Sequence, residues 1–261
     1  MDFQFTEVDG LHVRYSDSGS GRPLLLVHGL GGAIESWTGN IDALAKEMRV
    51  IALDLPGFSY SDKPKMNYTI KFYADFLASF ARKLGIAPLA VVGSSLGGHV
   101  ACELAIMHPQ VVSKLIAISP PGALPKSFTG TPALKRYVKV LEARTVEEVK
   151  RALFAVDKKP VADDYAKIVF EKLAMPGAKE AFLSALKGSA SAPRLGKRLP
   201  KIKAPTMVLW GKDDLMIPAK YIAPFVGMKN SRIVLLESCG HRPHADRPAV
   251  FNRLVADFVS G

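Results

Sequence analysis

The chain has 261 residues, 48% of them hydrophobic, which is enough apolar material for one main core. Its formal net charge of +11 comes without zinc spacing or basic runs interleaved with aromatics, so we expect no nucleic-acid partner. No apolar run approaches the roughly 20 residues of a membrane-spanning helix, and the N-terminus lacks an export signal. We therefore expect no membrane span and a cytoplasmic location. Cys102 and Cys239 have no disulfide or metal spacing, and neither is expected to be catalytic.

The first 120 residues alternate short β-rich runs with longer helical patterns, which predicts a mostly parallel sheet flanked by helices. Residues 24–27 are apolar throughout, as in a strand that is covered on both faces. The first two strands should form an antiparallel edge pair. Strands are predicted at 3–8, 13–17, 24–28, 50–54, 89–93 and 114–119, with helices at 37–46, 68–84 and 96–107.

The pattern changes at Pro120 and Pro121, where neither a strand nor a long helix can continue. Residues 131–187 carry only helical periodicity, and Thr145 with Glu148 predicts a capping box. We expect a helical cap over 121–200, inserted into an α/β core formed by 1–120 and 201–261. The remaining core elements are predicted as strands at 206–210 and 233–236 and helices at 219–226 and 248–259.

Residues 93–97 form the motif G-x-S-x-G between a predicted strand and a predicted helix. A sharp strand-to-helix turn lifts the serine hydroxyl above the sheet, and the glycines remove side chains that would clash in such a bend. The spacing selects Ser95 over Ser94. Outside this context the pentapeptide could be an ordinary glycine-rich turn, but here it predicts a nucleophilic serine.

A serine hydroxyl needs a base to remove its proton, and His241 is the predicted base. It lies in a loop between a late strand and the final helix, where its side chain could reach over the sheet. His244 is the competing candidate. We assign His99 to packing behind the serine and His108 to the end of a helix.

The acid that orients the histidine should follow the strand before it, where Asp213 and Asp214 stand side by side. Only one of the two can point at His241. The preceding strand is followed by residues 119–122, which contain no carboxylate, and this strengthens the assignment to the Asp213–Asp214 pair.

Acyl transfer also needs donors for the developing oxyanion. The backbone N–H of Leu96, directly after the nucleophile, is one candidate, and the glycine-rich loop after the third strand offers the N–H of Leu30 as the other. We expect His28 to brace that loop rather than to take part in catalysis. No metal and no cofactor are expected, because histidines and carboxylates are scattered without ligand spacing.

Together these segments resemble the α/β-hydrolase superfamily along nearly the whole chain. The resemblance implies the α/β-hydrolase fold with a cap between core strands 6 and 7, places the acid at Asp214 and supports Leu30 as the oxyanion residue. A serine at position 95, in the strand-to-helix turn, argues against haloalkane dehalogenases and epoxide hydrolases, which carry aspartate there. The segments that carry the resemblance are 26–29, 54–62, 93–98, 210–214 and 240–241.

The resemblance implies an acyl-enzyme mechanism, and we predict a carboxylesterase that acts on small to medium acyl esters. The alternatives are a C–C bond hydrolase of ring-cleavage products, a thioesterase or carrier-protein ester hydrolase, and a perhydrolase, with a non-catalytic receptor last. C–C hydrolases often show His-Gly-Gly-Gly-Pro-Gly and a tryptophan after the histidine. Residues 28–32 and Arg242 depart from that pattern.

The predicted cap is strongly basic. Residues 121–200 hold 16 Lys and Arg against 8 Asp and Glu, a net of +8, whereas the other 181 residues hold 19 against 16, a net of +3. We expect solvated helix faces, with an acidic partner or anionic substrate as the alternative. The basic candidates are Lys135, Arg136, Lys139, Lys150 and Arg151, and the aromatic pocket candidates are Phe128, Tyr137, Phe154, Phe170 and Phe182.

Overall fold

A computed structural model describes residues 2–126, 130–157 and 159–261. Its single sheet has eight strands in the order β1-β2-β4-β3-β5-β6-β7-β8. β1 and β2 form the predicted antiparallel edge pair, and the rest of the sheet is parallel as predicted, except that β2 is also antiparallel to β4. The strands are β1 Phe3–Val8, β2 Leu11–Ser18, β3 Pro23–Val27, β4 Arg49–Leu53, β5 Leu89–Ser94, β6 Val112–Ile118, β7 Thr206–Gly211 and β8 Ser231–Leu236.

Apolar layers cover both faces of the sheet. On β3, Leu24 and Leu26 pack into one core cluster, while Leu25 and Val27 pack into the other, and all four are fully buried. The uninterrupted apolar run in the sequence follows from this two-sided burial. The helices are α1 Ile41–Leu44, α2 Ile70–Lys83, α3 Leu96–Met107, α4 Pro132–Val138, α5 Val146–Asp157, α6 Asp163–Leu173, α7 Ala178–Ser191, α8 Pro243–Asp246 and α9 Pro248–Ser260.

Helices α4 to α7 lie between β6 and β7, where the sequence predicts a helical cap. The exact division of the chain at 121 and 200 stays a prediction. At the start of α5, Thr145 Oγ1 accepts from the N–H of Glu148 at 3.2 Å, but the Glu148 carboxylate accepts from the N–H of Arg144 at 2.6 Å. The reciprocal bond of the predicted capping box therefore moves one residue toward the N-terminus.

Two predicted helices are shorter or tighter in the structure. A 3-10 turn at Ile34–Trp37 ends where the predicted helix 37–46 should begin, and the predicted range itself holds only one α-helical turn, Ile41–Leu44. The segment Ala219–Phe225 is a 3-10 helix with Pro224 inside it, and proline lacks the N–H that a regular α-helix would use. Within the described ranges, no helix combines the length and apolarity needed to cross a membrane.

Candidate active site

The turn from β5 into α3 forces Ser95 into a backbone conformation that few side chains adopt. Its φ is 54° and its ψ is −117°, and its N–H donates to the carbonyl of Ile118 at 2.8 Å. A Cβ at Gly93 would collide with the carbonyl of Gly97, and a Cβ at Gly97 would collide with that of Val27. The two glycines therefore let β3, β5 and α3 approach closely enough to hold the strained serine in place.

The side chains of Asp214 and His241 are buried and in contact. His241 Nδ1 lies 2.8 Å from Asp214 Oδ2, and Asp214 Oδ1 accepts from the N–H groups of Met216 and Ile217, both at 2.8 Å. The two backbone donors fix the carboxylate, which in turn can hold the imidazole in one tautomer. Asp213 is exposed, so Asp214 is the member of the pair that contacts His241.

The loop that carries His241 is anchored by a carboxylate that the sequence analysis missed. Asp246 Oδ2 accepts from the N–H of Gly240 at 2.7 Å and from Lys159 Nζ at 2.6 Å. Lys159 Nζ also lies 3.2 Å from the carbonyl of Ser238. A side chain from the segment between α5 and α6 therefore helps to fix the backbone on either side of Cys239, next to His241.

The glycine-rich loop after β3 is held by His28. The N–H of Leu55 donates to His28 Nε2 at 3.0 Å, so the proton of the neutral ring lies on Nδ1, which is 2.7 Å from the carbonyl of Gly29. Burial lowers the pKa of His28 and favours this neutral form. The N–H of Gly32 also donates to the Gly29 carbonyl, at 3.0 Å.

These bonds fix the direction of the next N–H group. In a trans peptide the C=O of one residue and the N–H of the next point in opposite directions. Holding the Gly29 carbonyl toward His28 and Gly32 therefore turns the Leu30 N–H away from them. Gly29 itself lies against the nucleophile, since a Cβ there would be 3.2 Å from Ser95 Cβ.

Two cap side chains cover this loop from above. Tyr137 of α4 donates its hydroxyl to the carbonyl of Leu30 at 2.8 Å. Phe182 of α7 lies 5.9 Å from the Tyr137 ring, centroid to centroid. A Cβ at Gly31, where φ is +69°, would come within 2.8 Å of both aromatic side chains. A glycine is therefore required at Gly31 both by its backbone conformation and by the space that the cap leaves.

One narrow cavity of about 130 Å³ is lined by all four of Ser95, His241, Leu30 and Leu96. Leu96 is the first residue of α3, and N–H groups in the first turn of a helix have no partner inside the helix. Most of the remaining wall is apolar and comes from the cap helices and the loop after Asp214. Its apolar members are Leu124, Leu134, Leu153, Val156, Val169, Leu186, Met216 and Ile217.

A family model described as "alpha/beta hydrolase fold" matches residues 22–248. The chain belongs to this family. Three similar proteins, two of them known by sequence and one by its solved structure, carry different names.

The first is a "dihydrolipoyllysine-residue acetyltransferase component of acetoin cleaving system" from Cupriavidus necator, 31% identical over 99% of this chain and 69% of the relative. The second, from Burkholderia vietnamiensis, is a "2-hydroxy-6-oxononadienedioate/2-hydroxy-6-oxononatrienedioate hydrolase", 32% identical over 95% of this chain and 91% of that protein. The solved structure is a mutant of the meta-cleavage product hydrolase CumD from Pseudomonas fluorescens IP01. It has a TM-score of 0.86 and 26% identity, covering 98% of this chain and 97% of its own.

Two further histidines of this hydrolase are buried and neutral near the site. Burial, with nearby Arg242 and His241, lowers the pKa of His244 to about 3, and burial with two nearby arginines lowers the pKa of His99 to about 3. His244 lines the cavity but stacks on Trp37, with ring centroids 4.3 Å apart. Among the described residues, Asp214 bonds His241 and not the competing candidate His244. His241 is therefore the histidine that this carboxylate orients.

The predicted aromatic wall is mostly absent from the described cavity. Tyr137 lines the cavity, whereas Phe182 of the cap packs against Gly31 and Phe154 is 42% exposed. Phe170 packs against the core cluster, and Phe128 lies outside the described residues. Helical periodicity identifies the apolar face of a helix but does not tell which part of that face lies over a cavity.

A buried ionic network joins the cap to the core beside the cavity. Glu35, in the 3-10 turn after β3, pairs with Lys172 of α6 and with Arg14 Nη2, the latter at 2.9 Å. Arg14 Nε also donates to Asp54 at 2.6 Å. Although burial opposes it, the bond from Lys172 holds the pKa of Glu35 below its usual value. No group of three metal-ligating side chains occurs within the described parts of the chain.

Proposed function

We propose that this hydrolase uses Ser95 as nucleophile, His241 as base and Asp214 as the acid that orients His241. The observation that carries the proposal is that Ser95 and His241 line one cavity while Asp214 bonds to Nδ1 of the imidazole, which leaves Nε2 as the nitrogen for the serine. The roles of Leu30 and Leu96 follow from the same cavity, since their N–H groups are the proposed donors to the oxyanion.

In the proposed reaction Ser95 Oγ attacks a carbonyl carbon while His241 takes its proton. The carbonyl oxygen becomes an oxyanion held by the N–H groups of Leu30 and Leu96. The protonated His241 then supplies a proton to the leaving group as its bond to the carbonyl carbon breaks, leaving an acyl group on Ser95. Water activated by His241 releases the acid and restores the serine.

We propose a carboxylate-bearing oxo compound of the ring-cleavage type as substrate, cleaved at a C–C bond next to the ketone. The Burkholderia and CumD proteins support this alternative over the predicted carboxylesterase, and the "dioate" in the former's name denotes two carboxylates. Arg242 is the one permanently charged side chain among the described cavity residues. It stands where C–C hydrolases often carry tryptophan, so it replaces an aromatic ring with a cation that can attract a carboxylate.

A carboxylesterase remains the second candidate, because most of the rest of the described cavity wall is apolar and suits an uncharged acyl chain. Both reactions share the attack by Ser95 and differ in the leaving group. Substrate preference therefore separates the two candidates, whereas loss of the serine tests them together.

The test compares hydrolysis of a 2-hydroxy-6-oxo-dienoate series, followed by loss of its chromophore, with that of p-nitrophenyl esters from acetate to decanoate. We expect turnover of the dienoates to exceed that of the esters and to vanish in Ser95→Ala. The adjacent Ser94→Ala is the matched control and should still be labelled by a fluorophosphonate. Faster ester turnover would select the carboxylesterase, and turnover that survives Ser95→Ala would refute the proposed nucleophile.

A further inference from the structure

Leu30 joins two peptide groups that are held from opposite sides. The peptide that carries its N–H is fixed from the core, because His28 Nδ1 and the N–H of Gly32 both bond the Gly29 carbonyl. The peptide that carries its C=O is bonded from the cap, by the hydroxyl of Tyr137 at 2.8 Å. The orientation of Leu30 therefore depends on both parts of the molecule.

The second peptide needs such a restraint because glycine follows it. Gly31 has φ +69°, and glycine populates positive and negative φ with similar ease. Rotation of the Leu30–Gly31 peptide changes the ψ of Leu30 and the φ of Gly31, and the glycine offers little resistance to it. The same rotation changes the shape of the turn in which the Gly32 N–H bonds the Gly29 carbonyl, so it also disturbs the peptide that carries the Leu30 N–H. A hydrogen bond to the Leu30 carbonyl opposes that rotation directly.

Tyr137 is itself well fixed. Its ring packs against fully buried Phe182 of α7, and burial raises the pKa of its hydroxyl, which keeps the proton that it donates. The two aromatics come from different cap helices and meet over Gly31. The position of the cap is thereby transmitted to the loop through a rigid ring and one directional bond.

We infer that Tyr137 is a positioning residue, through which the cap sets the oxyanion-binding geometry of Leu30. This inference rests on the proposed function of Ser95 and Leu30. Since the oxyanion forms only as the carbonyl is attacked, a misplaced Leu30 N–H weakens binding of the tetrahedral state more than binding of the substrate. Loss of the Tyr137 hydroxyl should therefore lower kcat and leave KM nearly unchanged.

The test variant is Tyr137→Phe, which keeps the ring and removes the hydroxyl. Tyr68→Phe is the matched control, because the buried hydroxyl of Tyr68 also donates to a backbone carbonyl at 2.8 Å, that of Pro64, away from the cavity. Both variants should lower the unfolding midpoint by a similar amount. Only Tyr137→Phe should lower kcat, by about 10-fold, with KM within about 2-fold of the wild type.

Two probes report on the tetrahedral state itself. An alkylboronic acid forms a tetrahedral adduct with a serine, so its inhibition constant should rise in Tyr137→Phe by the same factor as kcat/KM falls. The rate of fluorophosphonate labelling at Ser95 should also fall by about 10-fold. Labelling carried to completion counts the folded sites and separates a slower enzyme from a smaller folded fraction.

Unchanged kcat, boronate affinity and labelling rate in Tyr137→Phe would overturn the inference while leaving the proposed function intact. A loss confined to KM would overturn it too, because the hydroxyl would then act in substrate binding. Wild-type protein that is not labelled at Ser95 would refute the proposed function and the inference with it. If no tested substrate turns over but Ser95 is labelled, the labelling rates of Tyr137→Phe and Tyr68→Phe test the inference. A slower rate in Tyr137→Phe alone supports it, and equal rates overturn it.

Discussion

The floor and the roof of the cavity are built in different ways. The floor belongs to the core, where tight turns and backbone hydrogen bonds fix Ser95, Gly29 and Asp214. The roof belongs to the cap helices, which contribute mainly apolar side chains such as Leu153 and Val169. On the proposed function, we therefore expect the chemistry to depend on backbone geometry that tolerates little change, and the choice of substrate to depend on side chains that can be exchanged.

The largest expected effect on the floor of the cavity comes from comparing substitutions at the adjacent residues Asp213 and Asp214. Asp214→Asn keeps the shape but loses the charge and can favour the wrong tautomer of His241, so kcat should fall on the order of 10⁴-fold. Asp213→Asn should change kcat by less than about 2-fold, because Asp213 is exposed. Steady-state kinetics of both variants checks the prediction, and equal losses would mean that the His241–Asp214 contact does not operate in catalysis.

The turn from β5 into α3, which carries Ser95, should lose much of its stability when one methyl group is added. Gly97→Ala would drive a Cβ into the carbonyls of Val27 and His28, both of them backbone atoms that cannot move aside. We expect a loss of at least about 3 kcal/mol in the free energy of unfolding. Gly196→Ala is the control, since a Cβ there meets nothing within 4 Å.

Denaturant titration of the two glycine variants measures this difference. Gly196→Ala should stay within about 0.5 kcal/mol of the wild type. If Gly97→Ala is as stable as the control, then the close approach of β3, β5 and α3 is not the constraint that holds Ser95 in its strained conformation.

The contact between the cap and the core includes the ion pair of Glu35 and Lys172. The side chain of Lys172 is only 10% exposed and that of Glu35 21%, so removing Lys172 leaves the poorly solvated Glu35 carboxylate with one cation fewer, Arg14 being its other partner. Lys172→Met should cost about 3 kcal/mol of folding free energy. A double-mutant cycle with Glu35→Gln measures the coupling between the two side chains.

The Lys212–Glu237 pair, whose side chains are 58% and 73% exposed, is the control for that cycle. Exposed pairs are screened by water and often contribute nothing measurable, so no coupling is expected there. A Glu35–Lys172 coupling as small as that of the control would show that this ion pair does not help to hold the cap on the core.

The contrast between floor and roof also explains how far the sequence could be interpreted. Ser95 and His241 stand in local patterns of strand, turn and helix, so the sequence alone could nominate both as candidate site residues. Tyr137 and Asp246 bond to residues far away along the chain, at Leu30 and Lys159, and neither carries a local signature. The mostly parallel sheet could be predicted because uninterrupted apolar runs indicate burial on both faces, whereas the order of its strands was not predicted.

The sequence could not show which cap side chains line the cavity, and the reason is geometric. Amphipathic helices reveal which of their faces is apolar, but both the protein interior and a ligand cavity satisfy that pattern. Phe182 and Val169 are both buried cap residues, yet only Val169 lines the described cavity. The 3-10 segment with Pro224 illustrates the same limit, since a helical pattern does not specify the hydrogen-bond register.

Exchange of one roof side chain should therefore change selectivity without abolishing the chemistry. Val169→Phe fills part of the cavity with a larger side chain from α6. We expect kcat/KM for the bulkiest substrates of a series to fall by about 10-fold, because one or two methylene-sized steric conflicts discriminate on that scale. The smallest substrates should stay within about 3-fold of the wild type.

The neighbouring Ile168→Phe enlarges a half-buried residue of the same helix that is not among the described cavity residues, so it should leave the substrate profile flat. Profiles of kcat/KM against substrate size for both variants make the comparison. A uniform loss across all sizes in Val169→Phe would mean that the floor, rather than the space above it, had been disturbed. A size-dependent loss confined to Val169→Phe would show that selectivity resides in the roof while Ser95 and its partners continue to work below it.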